Sequence, residues 1–114
     1  MKAILLIALI LLAGCTSTQG TYDNFTKCLS ESGAKMYGAY WCPHCDEQKQ
    51  VFGKSWEYMD YIECSLPDRQ GQTEVCKQAN IKAYPTWEFG GGKRQEGTLT
   101  PLQISQISGC SLNS

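Results

Sequence analysis

Two cysteines three residues apart, Cys42 and Cys45, stand between an aromatic, apolar stretch and a run of helix-favouring residues. Side chains at i and i+3 of a helix share a face, so the two sulfurs can close a disulfide within one turn. Lys35 to Trp41, rich in aromatics and containing Gly38, suits a buried strand whose backbone another element approaches closely. From Pro43 to Phe52 a helix is expected. Proline fits its first turn, Asp46 and Glu47 lie near the positive end of the dipole, and Gly53 stops it. The cysteine pair therefore marks a strand-to-helix junction.

The remaining elements are read around that junction. Tyr22 to Ser32 places Phe25, Cys28 and Leu29 at helical spacing, with Asp23 as a cap and Gly33 as a stop. Tyr58 to Cys64 reads as a second strand and Gln70 to Ala79 as a short helix, with Pro67 and Asp68 turning between them. Thr86 to Phe89 and Lys93 to Thr98 bracket Gly90-Gly91-Gly92, a hairpin signal. Thr100-Pro101 opens a last helix that runs to Ser108.

With 114 residues and a formal net charge of −1, the chain holds one small domain and no large basic surface, which argues against nucleic acid as a partner. Residues 1–14 read as an export signal: Lys2, an apolar run from Ala3 to Ala13, then small residues before Cys15. The run is about half of the ~20 residues that a spanning helix needs. Leu12-Ala13-Gly14-Cys15 resembles the bacterial lipoprotein cleavage box, which implies that Cys15 carries lipid and anchors the mature protein to a membrane. The alternative is an ordinary secretory signal with Cys15 as a spare thiol, and detergent partitioning separates the two. Residues 15–21 are a polar, flexible tether, and residues 22–114 form the domain. Either reading places that domain outside the cytoplasm, at the periplasm or cell surface, where disulfides persist.

At the start of a helix, free amide N–H groups and the dipole favour a thiolate, so Cys42 is expected to be the attacking sulfur. Cys45, one turn further in, is expected to be the resolving thiol. Pro43 and His44 tune the redox poise, His44 by adding a donor or a positive charge beside the thiolate. Two bland readings compete with exchange chemistry. One is a static disulfide and the other a zinc site made by Cys42, Cys45, Cys64 and Cys76, whose second pair is too widely spaced for a zinc knuckle. Asp46 follows Cys45, so covalent haem attachment is unsupported as well. No metal or cofactor is expected.

The order α, β, α, β, α, β, β, α, with CxxC at the first strand-to-helix junction, resembles the thioredoxin architecture, an α/β fold with a central four-stranded mixed sheet flanked by helices. In thioredoxin-like proteins a cis-proline loop faces the CxxC. That resemblance implies a cis bond at Tyr84-Pro85, leaving the Tyr84 backbone free to pair with an extended substrate strand beside Thr86. Without the resemblance, Pro85 merely begins a strand.

Cys64 and Cys76 flank a turn and a short helix and read as a structural disulfide. Cys28 and Cys110 pair if the first and last helices pack together; free thiols or an intermolecular bond are the alternatives. Trp41, beside the first active cysteine, is a candidate substrate-facing surface, whereas Trp56 and Trp87 read as packing residues.

Four stretches carry a more specific likeness: Ala34 through Cys45, Gln48 to Gly53, Tyr61 to Ser65, and Ala83 to Trp87. Together they resemble the thioredoxin-like domain fused to bacterial homologues of vitamin K epoxide reductase (VKOR). The resemblance implies that CxxC passes electrons from folding proteins to a quinone-reducing membrane partner, with Cys64 and Cys76 as the later cysteine pair. The four-helix membrane domain is missing from the chain, so a VKOR-like partner would act in trans. Met36 stands where thioredoxin has a buried acid.

Three functions follow as expectations. The leading one is a monomeric thiol:disulfide oxidase for cysteine-containing exported proteins. The second is a reductase or isomerase on the same fold. The third is a non-catalytic lipoprotein that binds partners near Pro85.

Overall fold

The computed structural model describes residues 20–113, so the export-signal and lipid-anchor readings and Cys15 lie outside the described residues. The chain runs through helix α1 (Asp23–Glu31), strand β1 (Lys35–Gly38), helix α2 (Pro43–Phe52), a 3-10 segment (Gly53–Tyr58), strand β2 (Tyr61–Glu63), helix α3 (Glu74–Gln78), strands β3 (Thr86–Glu88) and β4 (Arg94–Glu96), and helix α4 (Pro101–Ser108). The four strands form one mixed sheet in the order β2-β1-β3-β4. β1 lies parallel to β2 and antiparallel to β3, which pairs antiparallel with β4. This is a thioredoxin-like α/β fold.

Alternation along the strands sends residues to two cores. Met36 and its β3 partner Trp87 are fully buried on one face, with Phe25 and Leu29 from α1, Cys45 and Phe52 from α2 and Ile104 from α4. Phe25 stacks on Phe52 with ring centroids 6.2 Å apart, and Cys28 is bonded to Cys110, so α1 and the segment after α4 are tied together on this face. Tyr37 points to the other face and packs with Cys64, Cys76 and Ile81 beneath α3. Cys64 and Cys76 are disulfide-bonded.

One polar side chain is sunk in the main core. Gln48 of α2 is fully buried, and its amide oxygen accepts from Trp87 Nε1 at 3.1 Å and from the Leu99 backbone N–H at 2.8 Å. Its Nε2 donates to the Leu99 carbonyl at 3.0 Å, so every buried group around it is satisfied. The active-site helix is thereby fastened to the sheet and to the approach to α4.

Several element boundaries differ from the sequence reading. β1 stops at Gly38, because the next residues turn, with the Cys42 N–H donating to the Ala39 carbonyl at 3.0 Å. Tyr58 to Asp60 is not strand, since the chain past Gly53 continues as the 3-10 segment before β2 begins at Tyr61. Ser55 is buried there and donates to the Asp23 carboxylate at 2.8 Å, and it accepts from the Tyr22 N–H at 2.9 Å. Asp23 is the first residue of α1 rather than its cap, and its carboxylate accepts from Ser55 and from Gly20 N–H. α3 starts at Glu74, because Gln72 is drawn into a bridge with Ser65 and Arg69 has positive φ. α4 begins as expected, with Thr100 and Gln103 forming a reciprocal capping box.

Candidate active site

Cys42 is the N-cap of α2, with extended backbone (φ −82°, ψ 120°). Pro43 occupies the first helical position, where a missing N–H costs nothing. One turn on, Cys45 faces the sheet. Cys45 is fully buried and Cys42 is 7% exposed, and both are free thiols that hydrogen-bond to each other.

The two sulfurs differ in their surroundings. Burial pushes the Cys45 thiol up to about 12; the Ala39 backbone amide opposes this, the neighbouring Cys42 thiol reinforces it, and the Lys49 ammonium pulls it back a little. Cys45 is therefore a protonated thiol at neutral pH. Cys42 Sγ lies 3.7 Å from the Tyr84 carbonyl oxygen, to which the thiol donates.

Close approach at Gly38 makes this packing feasible. A Cβ there would lie 2.9 Å from Cys45 Sγ and 3.0 Å from the Tyr61 ring, so any side chain would displace the resolving sulfur. The sequence reading of Gly38 as a point of close approach finds its physical cause in Cys45.

Around Cys42 the surface is aromatic. Trp41 and Tyr40 are 39% and 42% exposed. Trp41 Nε1 donates to Ser65 Oγ at 2.7 Å, and its ring meets Tyr84 edge-on at 6.1 Å. The Tyr40 hydroxyl donates to the Pro67 carbonyl at 2.6 Å. The Tyr84-Pro85 bond is cis, and Pro85 is fully buried while Thr86 donates back to the Ala83 carbonyl at 2.7 Å. Tyr84 accepts from Gln72 Nε2 through its hydroxyl at 2.9 Å. The 65–72 loop thus orients three aromatic side chains beside Cys42. The Cys64–Cys76 bond fastens the end of β2, where that loop begins, to α3.

His44 lies on the solvent side of α2. Its ring is 70% exposed, and Nδ1 lies 3.5 Å from the Glu47 carboxylate on the outer face of α2. The His44 carbonyl accepts from Thr98 Oγ1 at 3.4 Å.

Four residues near the site were not read from the sequence. Gln48 follows Cys45 by three positions and precedes Phe52 by four, so helical spacing alone puts it on the buried face. Lys49, Tyr61 and Glu63 gather next to Cys45. Lys49 Nζ sits 4.1 Å from the Tyr61 ring centroid, and the Tyr61 hydroxyl donates to Glu63 Oε1 at 2.9 Å. Only the parallel pairing of β1 with β2 brings Tyr61 opposite Met36, and no local motif announces it.

No protein-family model matches the chain. A thiol-disulfide oxidoreductase of Arabidopsis thaliana, LTO1, is 36% identical over 91 residues, which cover 76% of this chain and 24% of that protein. The chain thus spans about a quarter of that relative's length. Over most of its domain, this chain is related to part of a thiol-disulfide oxidoreductase.

Proposed function

We propose that this chain is an extracytoplasmic thiol:disulfide oxidoreductase, anchored by lipid at Cys15, that oxidises cysteines of exported proteins and passes the electrons to a VKOR-like membrane oxidoreductase. The observation that carries the exchange chemistry is the asymmetry of the pair. Cys42 sits at the start of α2 beside a backbone carbonyl and an aromatic surface, whereas Cys45 is sealed beneath it and held protonated. Two further disulfides in so small a domain support a compartment where such bonds persist. The membrane partner rests on the resemblance to the VKOR-fused domain.

In the oxidising direction a substrate thiolate attacks Cys42 Sγ of the Cys42–Cys45 disulfide, and Cys45 leaves with the electron pair and takes a proton. A second substrate thiolate then attacks the substrate sulfur of the mixed disulfide. The substrate disulfide forms, Cys42 is released, and the protein is left reduced by two electrons. Cys42 next attacks a disulfide of the membrane partner and Cys45 displaces it, restoring the bond. During the first step the Tyr84 backbone pairs with the substrate strand and Trp41 covers its apolar flank.

Equilibration of the Cys42–Cys45 pair against glutathione buffers, together with catalysed oxidation of a reduced two-cysteine peptide, tests this direction of flow. The expected potential lies above about −250 mV, with turnover of the peptide. A potential below that value argues for a reductase instead.

A further inference from the structure

Each round of exchange places charge on a sulfur held away from bulk solvent. Cys45 is fully buried, and burial pushes its pKa up to about 12, yet it must leave as a thiolate in one direction and attack as one in the other. Met36, buried on the same face of β1, offers no proton acceptor.

Tyr61 stands opposite Met36 in the parallel register. A Cβ built on Gly38 would lie 2.9 Å from Cys45 Sγ and 3.4 Å from the Tyr61 hydroxyl oxygen, so sulfur and phenol flank one point above a residue that has no side chain. The Tyr61 hydroxyl donates to Glu63 Oε1 at 2.9 Å. Glu63 Oε2 accepts from the Tyr40 and Ser65 N–H groups at 3.2 and 2.9 Å, and Tyr61 and Glu63 are both partly exposed, so the carboxylate connects the half-buried phenol with solvent.

Resting on the exchange reading above, we propose that Tyr61 and Glu63 are the proton relay of Cys45. As Cys45 attacks Cys42 Sγ in a mixed disulfide, its proton passes through one water to the Tyr61 oxygen, while the Tyr61 proton passes to Glu63. The Cys45–Cys42 bond forms, and the displaced sulfur leaves with the electron pair. Glu63 then releases its proton to water, and the same path runs backwards when Cys45 leaves. Burial and the Glu63 carboxylate push Tyr61's own ionisation far up, so the phenol transfers protons without becoming a phenolate. The other ionisable groups bearing on these two residues are on α2. Lys49 favours the Cys45 thiolate, Cys42 opposes it, and Asp46 adds to the resistance of Tyr61 to ionisation.

The test is stopped-flow reaction of the protein, reduced at Cys42 and Cys45, with one equivalent of 5,5′-dithiobis(2-nitrobenzoate). The first nitrothiobenzoate is released when Cys42 attacks, the second when Cys45 attacks the resulting mixed disulfide. Tyr61→Phe is expected to leave the first release within about twofold of wild type and to slow the second at least about tenfold at pH 7, the gap narrowing as pH rises. Glu63→Gln is expected to do the same, and Glu63→Asp to recover part of the loss. Should Tyr61→Phe fail to fold, Glu63→Gln carries the test, because its side chain is not in the core. A second release within about twofold of wild type in both foldable variants from pH 6 to 9 overturns the relay. Absence of any first release from the wild-type protein overturns the exchange chemistry, and the relay with it.

Discussion

Cys42→Ser is expected to lower disulfide exchange by more than about a thousandfold, as loss of a covalent nucleophile does elsewhere, whereas Cys45→Ser is expected to accumulate the protein as mixed disulfides. The difference follows from where each sulfur sits. Cys42 lies at the N-terminal end of α2 against the Tyr84 carbonyl and keeps 7% of its surface exposed, while the fully buried Cys45 is wrapped by Gly38, Ala39 and Tyr61. Without Cys45 nothing displaces a captured protein, so the adducts persist until a reductant is added. Mass spectrometry of reductant-sensitive adducts in cells producing each variant checks this and identifies substrates at the same time. Adducts collected by Cys42→Ser, or none collected by Cys45→Ser, would remove the chemical basis of the account and favour a binding protein.

The second large effect concerns stability. Cys28 and Cys110 are separated by 82 positions, so their bond closes nearly the whole domain into a loop. In the chain-entropy description a loop of that length is worth about 4.5 kcal/mol, against about 3 kcal/mol for the separation of 12 between Cys64 and Cys76. For a domain this small, the larger figure approaches its entire stability. The double variant Cys28→Ala/Cys110→Ala is expected to lose that amount in denaturant unfolding and to be partly unfolded at 37 °C. Cys64→Ala/Cys76→Ala should lose less stability. It should also disturb the 65–72 loop that holds Tyr40, Trp41 and Tyr84 through Pro67, Ser65 and Gln72. A smaller loss for the first variant than for the second would contradict this ranking.

Much of the architecture was legible because its signals are local. The Pro43–Phe52 and Pro101–Ser108 helices carry their own start and stop residues, and the glycine run between β3 and β4 marks its turn. What local pattern misplaced was governed by distant partners. Tyr58 to Asp60 has strand-like composition, yet the buried Ser55–Asp23 contact accompanies a continuing 3-10 segment. Gln72 falls in a helix-favouring stretch, but its bridge to Ser65 and its bonds to Ile81 and Tyr84 draw it out of α3.

The site shows the same division. Cys42, Cys45 and the Tyr84-Pro85-Thr86 segment are compact motifs that a reader can find in the chain. Lys49, Tyr61 and Glu63 are ordinary surface residue types whose meeting with Cys45 depends on β1 pairing in parallel with β2 and on Gly38 having no side chain. His44 illustrates the converse: a residue prominent in the motif turns outward to Glu47, a partner on its own helix that the motif does not include.

The account stands on one inequality, that Cys42 is available to react while Cys45 is not. Brief alkylation with iodoacetamide at pH 7, after selective reduction of this pair and followed by peptide mapping, measures it directly. The account predicts carbamidomethylation of Cys42 with Cys45 unmodified; labelling of both at equal rates, or of Cys45 first, would contradict it.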